Sequence, residues 1–289
     1  ISADDVIITE GGMAGIALAI KHFTVPGDTV ALESPFYYNF LFLLKEFGLK
    51  VIEIPMNPDT GMNLDVLEFV LERQPVKAVI TIPTNSNPVG STMPVENKKR
   101  LVELCEREKI LLLEDDIYGD ITFEDKRAPV CKAFDKTGNV ILCSSFTKSL
   151  APGLRLGWIV PGAHYDKVLA VKTMTNVATS SLSQHMALNF LSGGHFDRHM
   201  RQLNKSAQEK VNMLREAVIK YFPPGTQVTD PKGGFVLWVT LPDNRHIQSI
   251  YEKARKEGVL FTPGNLFSLE GRWDNCLRLS AGYYKSEYE

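Results

Sequence analysis

The segment between residues 143 and 158 combines a lysine, an arginine and several hydroxyl groups. Lys148 and Arg155 are seven positions apart, with a Pro-Gly pair between them. The lysine amine could serve as a nucleophile, and a guanidinium beside it could bind an anion. The segment also contains Ser145-x-x-Lys148, a spacing that occurs in serine hydrolases. It therefore leaves two kinds of chemistry open, as well as the simpler interpretation that Lys148 is an ordinary surface lysine.

Three consecutive acids, Glu114, Asp115 and Asp116, come directly after a Leu-Leu-Leu run, and Tyr118 follows shortly after them. Like charges beside an apolar core cost free energy unless a cation or hydrogen-bond donors meet them. The acids could point into water, bind a metal ion, or pair with a protonated ring nitrogen. All three alternatives stay open at this point.

Three other loops carry groups that could bind a ligand. Residues 10–15 are rich in glycine, so the backbone N–H groups of Gly12 and Met13 could bind a phosphate, although tight turns have the same composition. Tyr37 could stack on a flat ligand or simply cover the edge of the core. Residues 83–90, which include Asn87, supply amides on a loop stiffened by two prolines, and turn formation alone would explain them.

Short apolar runs rich in β-branched residues alternate with longer amphipathic ones up to about residue 160, which is typical of βα units. We predict an α/β fold whose large domain has a mostly parallel seven-stranded sheet sandwiched by helices. Helices are expected at residues 64–73 and 95–109, and strands at residues 6–9, 29–32, 50–54, 78–82, 110–114, 140–144 and 157–160. Because ligands bind at the carboxyl ends of such strands, the groups described above should meet at one edge of the sheet.

A long helical pattern over residues 195–221 ends at Phe-Pro-Pro-Gly. Strands at residues 234–240, 259–262 and 276–280 then flank a helix at 247–257, which indicates a smaller C-terminal α/β domain. We place the large domain at residues 1–195 and the linking helix with the small domain at 196–289. Because the sequence begins with Ile1 rather than Met, we expect a longer protein of which this chain is incomplete at both ends.

Composition excludes several classes of function. The 289 residues include 32 basic and 34 acidic ones, so the net charge of -2 gives no electrostatic reason to expect nucleic acid as a partner of this stretch. No apolar run is long enough to suggest a membrane helix. The four cysteines show no CxxC spacing and the six histidines no ligand spacing, so we expect no metal site, no disulfides and a cytoplasmic location.

Taken together, these segments resemble the fold-type I enzymes that depend on pyridoxal 5′-phosphate (PLP), the aspartate aminotransferase superfamily. Four features recur in the family's order: Asn-Pro-x-Gly at Asn87, Asp-x-x-Tyr at Asp115, Ser-x-x-Lys at Lys148, and the arginine at Arg155. The resemblance covers essentially the whole chain. It implies the predicted large and small domains and a PLP cofactor.

The resemblance also implies roles for individual residues. Lys148 would bind PLP as a Schiff base and, once released, move a proton during catalysis. Asp115 would pair with the pyridine nitrogen, and Asp116 receives no role. Asn87 and Tyr118 would hydrogen-bond the 3′-oxygen of the ring. The ring face would stack on Tyr37, and Lys148, Asp115 and Tyr118 form the expected catalytic set.

The phosphate and substrate groups have expected partners as well. Gly12 and Met13 would bind the phosphate through their backbone, together with the hydroxyl of Ser145 and the guanidinium of Arg155. Residues 276–280, Cys-Leu-Arg-Leu-Ser, resemble the strand whose arginine binds the substrate carboxylate. Arg278 would have that role beside Asn87, whereas the alternative interpretation is an exposed strand arginine.

Within the superfamily the chain most resembles the aminotransferase-like domain of MocR-type regulators of the GntR class, through blocks such as Glu-Ser-Pro-Phe-Tyr-Tyr at residues 33–38. Related free-standing aminotransferases share these blocks. Two functions follow: an aminotransferase acting on an amino acid and a 2-oxo acid, or a PLP-binding effector and dimerisation domain with little turnover. Both imply a homodimer, and nucleic acid becomes a partner only if a DNA-binding domain precedes Ile1. A metal enzyme using Glu114, Asp115 and Asp116 is a third, weaker reading, because it lacks companion histidines.

Overall fold

A computed structural model describes residues 1–242 and 246–283, with Tyr283 described for its backbone only. Eight strands form one large sheet in the order β1-β8-β7-β6-β5-β2-β3-β4. Their bounds are β1 Ile7–Thr9, β2 Thr29–Ser34, β3 Lys50–Asn57, β4 Gly61–Met62, β5 Val76–Thr81, β6 Leu111–Asp115, β7 Val140–Ser145 and β8 Gly157–Val160. The seven predicted strands are present. The eighth, β4, has only two residues, too few for an alternating pattern to reveal it.

The sheet is mostly parallel, as predicted. Strands β3, β2, β5, β6 and β7 pair in parallel, whereas β8 is antiparallel to both β7 and β1. Strands β5 to β7 are buried over nearly their whole length, which explains why their sequences are continuous apolar runs rather than alternating ones. The carboxyl ends of the parallel strands therefore lie along one edge.

Helices cover both faces of the large sheet. Their bounds are α1 Gly12–Phe23, α2 Tyr38–Glu46, α3 Leu64–Leu71, α4 Val95–Arg107, α5 Tyr165–Thr175 and α6 Ser181–Ser192. One core cluster packs α1 and α2 against the strands through residues such as Ile16 and Phe40. A second packs α3 and α4 on the opposite face through Leu67 and Leu101. The predicted sandwich of helices around the sheet is thus confirmed.

The C-terminal part begins with the helix α7 His195–Tyr221, whose bounds agree with the prediction. A four-stranded antiparallel sheet follows, in the order β11-β12-β10-β9. Its elements are β9 Gln227–Val228, β10 Val236–Thr240, α8 Ile247–Lys256, β11 Thr262–Pro263 and β12 Cys276–Ser280.

One predicted strand of this part, at residues 259–262, is wrong over most of its length. The N–H of Val259 donates to the carbonyl of Ala254 at 2.9 Å and so closes the end of α8 instead of joining the sheet. Only Thr262 pairs with β12. The strand β9 has two residues and escaped prediction for the same reason as β4. Within the described ranges, no helix has the length and apolar character needed to cross a membrane.

Candidate active site

A cavity of about 660 Å³ lies at the carboxyl ends of the large sheet, bounded by α7 and by the end of β12. It brings together residues that are far apart in the sequence. Nine of the ten predicted site residues line it: Gly12, Met13, Tyr37, Asn87, Asp115, Tyr118, Lys148, Arg155 and, from the small sheet, Arg278. Ser145 is the one predicted site residue that does not line it.

Lys148 follows β7 in a turn and reaches into this cavity, where its side chain is accessible. Its Nζ lies 5.9 Å from the centre of the Tyr118 ring. Partial burial lowers the pKa of the Lys148 ammonium, and the positive charge of Arg278 lowers it further. A lowered pKa increases the fraction of neutral amine, the form that attacks a carbonyl carbon.

Asp115 ends β6 and is 4% exposed. Its Oδ1 accepts a hydrogen bond from the backbone N–H of Ile117 at 3.1 Å. Burial raises the pKa of the Asp115 carboxyl to about 7, and no salt bridge among the described residues involves it. A buried acid at the edge of a cavity, without a cation of its own, is suited to a ligand that brings a positive charge.

The two acids beside Asp115 point elsewhere. Glu114 accepts hydrogen bonds from the backbone N–H groups of Cys131 and Lys132 at 2.7 and 3.0 Å. Asp116 pairs with Arg127. Side chains alternate between the faces of a strand, so Asp115 faces away from Glu114 and Asp116, each of which has partners of its own. The metal-enzyme hypothesis required the three acids to bind one ion together, and this arrangement does not support it. Asp116, to which the sequence analysis assigned no role, forms an ion pair with Arg127.

Two tyrosines line the cavity from different elements. Tyr118 is 5% exposed, burial raises its pKa, and its ring centre lies 6.4 Å from that of Phe235. The Tyr37 hydroxyl accepts a hydrogen bond from Asn39 at 2.7 Å, which fixes the direction of its ring. Both tyrosines have limited freedom, so a flat ligand would meet preoriented rings.

Arg155 and the start of α1 form a compact group of donors. The guanidinium donates to the carbonyl of Glu10 at 3.0 Å and lies 3.4 Å from the hydroxyl of Thr147. Gly11 has φ +93°, and a Cβ built on it would lie 2.7 Å from the Arg155 Nη2. The positive φ of Gly11 disfavours any side chain at this position, and a side chain would also displace the guanidinium. A helix N-terminus beside a guanidinium is suited to a phosphate.

Ser145 lies beneath this group. It is 2% exposed, and its hydroxyl accepts a hydrogen bond from the backbone N–H of Thr147 at 3.3 Å. A Cβ built on Gly12 would lie 4.0 Å from that hydroxyl. Ser145 therefore adjoins the first turn of α1, and its direct contact with a phosphate stays a prediction.

Arg278 extends from β12 to the large sheet. Its Nη1 donates to the side-chain oxygen of Asn87 at 3.0 Å, and its Nη2 donates to the hydroxyl of Thr262 at 3.0 Å. Its Nε is buried without a hydrogen-bond partner among the described residues. The guanidinium of Arg278 is thus fixed by hydrogen bonds inside the cavity, and Arg278 is not an exposed strand residue.

Several lining residues were missed by the sequence reasoning. Thr147 adjoins the guanidinium of Arg155, and the helix α7 contributes a stripe to the wall that consists of Leu203, Ser206, Ala207 and Lys210. The stripe has the three- and four-residue spacing of one helix face. That spacing was available in the sequence, but nothing in it indicated which face of α7 turns toward the cavity.

The groups in this cavity fit pyridoxal phosphate. The lining includes a buried acid, Asp115, with no cation beside it in the described residues, the guanidinium of Arg155 next to the start of α1, and the accessible amine of Lys148. The buried Nε of Arg278 supplies a further unused donor for a carboxylate.

The family model for aminotransferase class I and II matches residues 1–289, and the chain belongs to that family. The predicted fold type and the predicted cofactor, PLP, are confirmed by this membership. The uncharacterized HTH-type transcriptional regulator YjiR of Escherichia coli is 38% identical over 99% of this chain and 61% of its own length. The aromatic-amino-acid aminotransferase 1 of Thermococcus litoralis is 33% identical over 99% of this chain and 70% of its own length.

Solved structures of aminotransferases have the same fold as this chain. The kynurenine aminotransferase of Pyrococcus horikoshii superposes with a TM-score of 0.93 at 33% identity, over 99% of this chain and 72% of that one. The α-aminoadipate aminotransferase LysN of Thermus thermophilus gives 0.89 at 30% identity, over 96% and 72%. The chain spans 61% and 62% of the two regulators YjiR and YdcR of Escherichia coli.

Proposed function

We propose that this chain is the catalytic core of a PLP-dependent aminotransferase, which moves an amino group between an α-amino acid and a 2-oxo acid. The observation that carries the proposal is the placement of one amine, one unpaired buried acid and two arginines around a single cavity. These are the charges that a phosphorylated pyridine aldehyde and a carboxylate substrate require. The amine is Lys148, the acid Asp115, and the arginines Arg155 and Arg278.

PLP, when bound, supplies an electron sink that makes the Cα–H bond of an amino acid acidic. Asp115 would accept a hydrogen bond from the pyridine nitrogen and favour its protonated state. Arg155 would bind the phosphate together with the backbone of Gly12 and Met13 and the hydroxyl of Ser145. Tyr118 and Asn87 would donate to the ring oxygen, and Tyr37 would limit movement of the ring.

Substrate binding and proton transfer use the remaining groups. Arg278 binds the α-carboxylate through its guanidinium, oriented by Asn87 and Thr262. Lys148 would hold the cofactor through its Nζ, and the same Nζ, once free, is the group that would accept the proton from the substrate Cα. Its lowered pKa suits this task, because a base must be neutral to accept a proton.

A second candidate is the PLP-binding effector domain of a regulator, with little or no turnover. It is favoured by the similarity to HTH-type transcriptional regulators, of whose length this chain spans about three fifths. Both candidates use the same cavity and the same lysine. They differ in turnover and in whether a DNA-binding domain precedes residue 1 of this chain.

The deciding experiment loads the purified protein with PLP and mixes it with a panel of amino acids, one at a time. An aminotransferase converts the bound cofactor to its amine form, which shifts the absorbance, and a 2-oxo acid restores the original spectrum. Lys148→Ala is the control and should show neither change. Binding of amino acids without a spectral conversion, at full PLP occupancy, would favour the effector domain instead.

We further propose that the protein acts as a homodimer in the cytoplasm, with the large domain at residues 1–195 and the small one at 196–289. The dimer is supported by apolar side chains that are exposed on and beside α5 and α6: Met174, Val177, Leu182, Met186 and Leu188. The cytoplasm is supported by four buried free thiols. Sedimentation of wild type and Val177→Asp tests the dimer, since the variant should sediment as a smaller species.

A further inference from the structure

Lys98 is a lysine on α4 with an exposed fraction of 0%. Its Nζ donates to the hydroxyl of Thr84 at 2.6 Å and to the carbonyl of Pro129 at 2.8 Å. Lysines are almost never fully buried unless their charge is met by hydrogen bonds or by opposite charges. The two acceptors lie on different loops, so a single ammonium connects them.

The first of these loops carries Asn87. Thr84 begins it, and the side chain of Asn85 donates to the carbonyls of Tyr118 and Ile121 at 3.1 and 2.9 Å. Asn87 in turn accepts from Arg278. A displacement of Thr84 would therefore be passed to two groups of the cavity, Asn87 and Tyr118.

The second loop reaches the strand of Asp115. Pro129 is followed closely by Cys131 and Lys132, whose backbone N–H groups both donate to Glu114. Glu114 directly precedes Asp115 in β6. The ammonium of Lys98 thus connects the loop of Asn87 with the loop that holds the end of β6.

The charges around this lysine only partly offset its burial. Burial lowers the pKa of Lys98, and the nearby Cys131, Glu114 and Asp116 oppose that effect without cancelling it. Glu114 also has backbone donors, and Asp116 has Arg127, so neither acid forms a direct pair with Lys98 in the described part of the chain. The result is a buried amino group whose donors face two neutral acceptors.

We propose that Lys98 is a positioning residue, which holds the Asn87 loop and the end of β6 in the register that the cofactor site requires. The consequence for the cofactor rests on the function proposed above. The effect on the loop itself does not, because it belongs to the cofactor-free chain as well.

The test uses two variants that remove the link from opposite ends. Lys98→Met keeps the length of the side chain without a donor, and Thr84→Val keeps the shape of the side chain without the hydroxyl. Lys98→Arg retains charge and donors. The matched control is Lys99→Met on the same helix, where the side chain is 43% exposed and pairs with Glu96 at the surface.

Hydrogen exchange of the cofactor-free, full-length protein gives the first readout. Lys98→Met and Thr84→Val should accelerate exchange of the amides at residues 85–93 by about tenfold or more, while α1 and β7 exchange as in wild type. Lys99→Met should leave the loop unchanged. Faster exchange throughout the protein would mean general destabilisation and would overturn the proposal, as would unchanged exchange in Thr84→Val.

The second readout is PLP binding, followed by the absorbance of the cofactor bound to Lys148. Lys98→Met and Thr84→Val should raise the Kd for PLP by about tenfold, and Lys98→Arg should recover most of that loss. If Lys98→Met does not fold, Thr84→Val and Lys98→Arg decide the question. A wild-type protein that binds no PLP would refute the proposed function while leaving the exchange result as the test of Lys98. Wild-type affinity in Thr84→Val would overturn the positioning role.

Discussion

The guanidinium of Arg278 donates a hydrogen bond from its Nη1 to the side-chain oxygen of Asn87 at 3.0 Å. Arg278 lies on the small sheet and Asn87 in the loop that follows β5 of the large sheet, so this bond joins the small sheet to the cavity edge of the large one. The Nε of Arg278 keeps a buried N–H without a partner among the described residues. A substrate carboxylate entering the cavity would satisfy that donor.

Replacement of Arg278 by lysine should weaken carboxylate recognition. The charge remains, but the planar fork that can bind a carboxylate while contacting Asn87 and Thr262 is lost. We expect kcat/KM for amino acids to fall by about 10- to 100-fold, mainly through KM, because one charge-assisted hydrogen bond contributes about 1.5–3 kcal/mol. Steady-state kinetics measure this. An unchanged KM for the amino acid would show that the carboxylate binds elsewhere.

Replacement of Asp115 by asparagine should stabilise the cofactor-free protein and weaken its function. Burial raises the pKa of Asp115 to about 7 in the folded protein, from an ordinary value of 3.8. The folded state therefore disfavours the ionised form. Because of this group, the free energy of unfolding falls as pH rises from about 4 to about 7. Cofactor-free Asp115→Asn should be more stable than wild type at about pH 8, on the order of 2 kcal/mol, and the gain should shrink toward about pH 5.

The same variant should bind PLP more weakly and catalyse poorly, because asparagine cannot stabilise a protonated pyridine nitrogen. Urea unfolding at the two pH values and PLP titration measure the two effects. A variant less stable than wild type at both pH values would contradict the assignment of Asp115 as a buried acid without a cation.

Replacement of Gly11 by alanine should disturb the phosphate-binding group formed by Arg155 and the start of α1. The new Cβ would lie 2.7 Å from Arg155 Nη2, and φ +93° is unfavourable for alanine. We expect the Kd for PLP to rise by about tenfold or more, which corresponds to about 1.4 kcal/mol. Gly153→Ala is the control, since, apart from its chain neighbours, no atom of the described residues lies within 4 Å of its new Cβ. Equal affinities in the two variants would argue against a phosphate at this place.

Replacement of Arg127 by methionine should destabilise the protein. Asp116 is 1% exposed and would lose its partner. We expect a loss of about 2 kcal/mol, less than for a fully buried pair because Arg127 is 40% exposed. Urea unfolding near neutral pH measures this loss. Restoration of stability by the double variant Arg127→Met with Asp116→Asn would identify the unpaired carboxylate as the cause, whereas no restoration would point to lost packing.

The sequence was sufficient to predict most of the fold, and most of the predicted site residues meet in the cavity. Alternating strands and helices placed seven strands, and the polar residues after them were expected at one edge, where they lie. The sequence analysis treated Glu114, Asp115 and Asp116 as one group of acids. The alternation of side chains along a strand would already have predicted that Asp115 points away from the other two. Elements of two residues, such as β4 and β9, are too short to leave a pattern.

Other features depend on tertiary packing and had no local signal. The face that α7 turns to the cavity, with Ser206 and Lys210, is set by how the helix packs between the two sheets. The bond between Arg278 and Asn87 joins residues 191 positions apart. Lysines usually lie at the surface, so nothing in the sequence indicates that Lys98 is buried. Its burial depends on the two acceptors that meet its Nζ, and these come from distant parts of the chain.

The most direct test of this account is the site at which PLP is bound. The protein is saturated with PLP, reduced with borohydride, digested and analysed by peptide mass spectrometry, with Lys148→Ala treated in parallel. We predict that the visible absorbance band disappears on reduction, that the pyridoxyl phosphate mass is found on the peptide containing Lys148, and that the variant takes up none. Labelling of other lysines without Lys148, or equal labelling of the variant, would contradict the account.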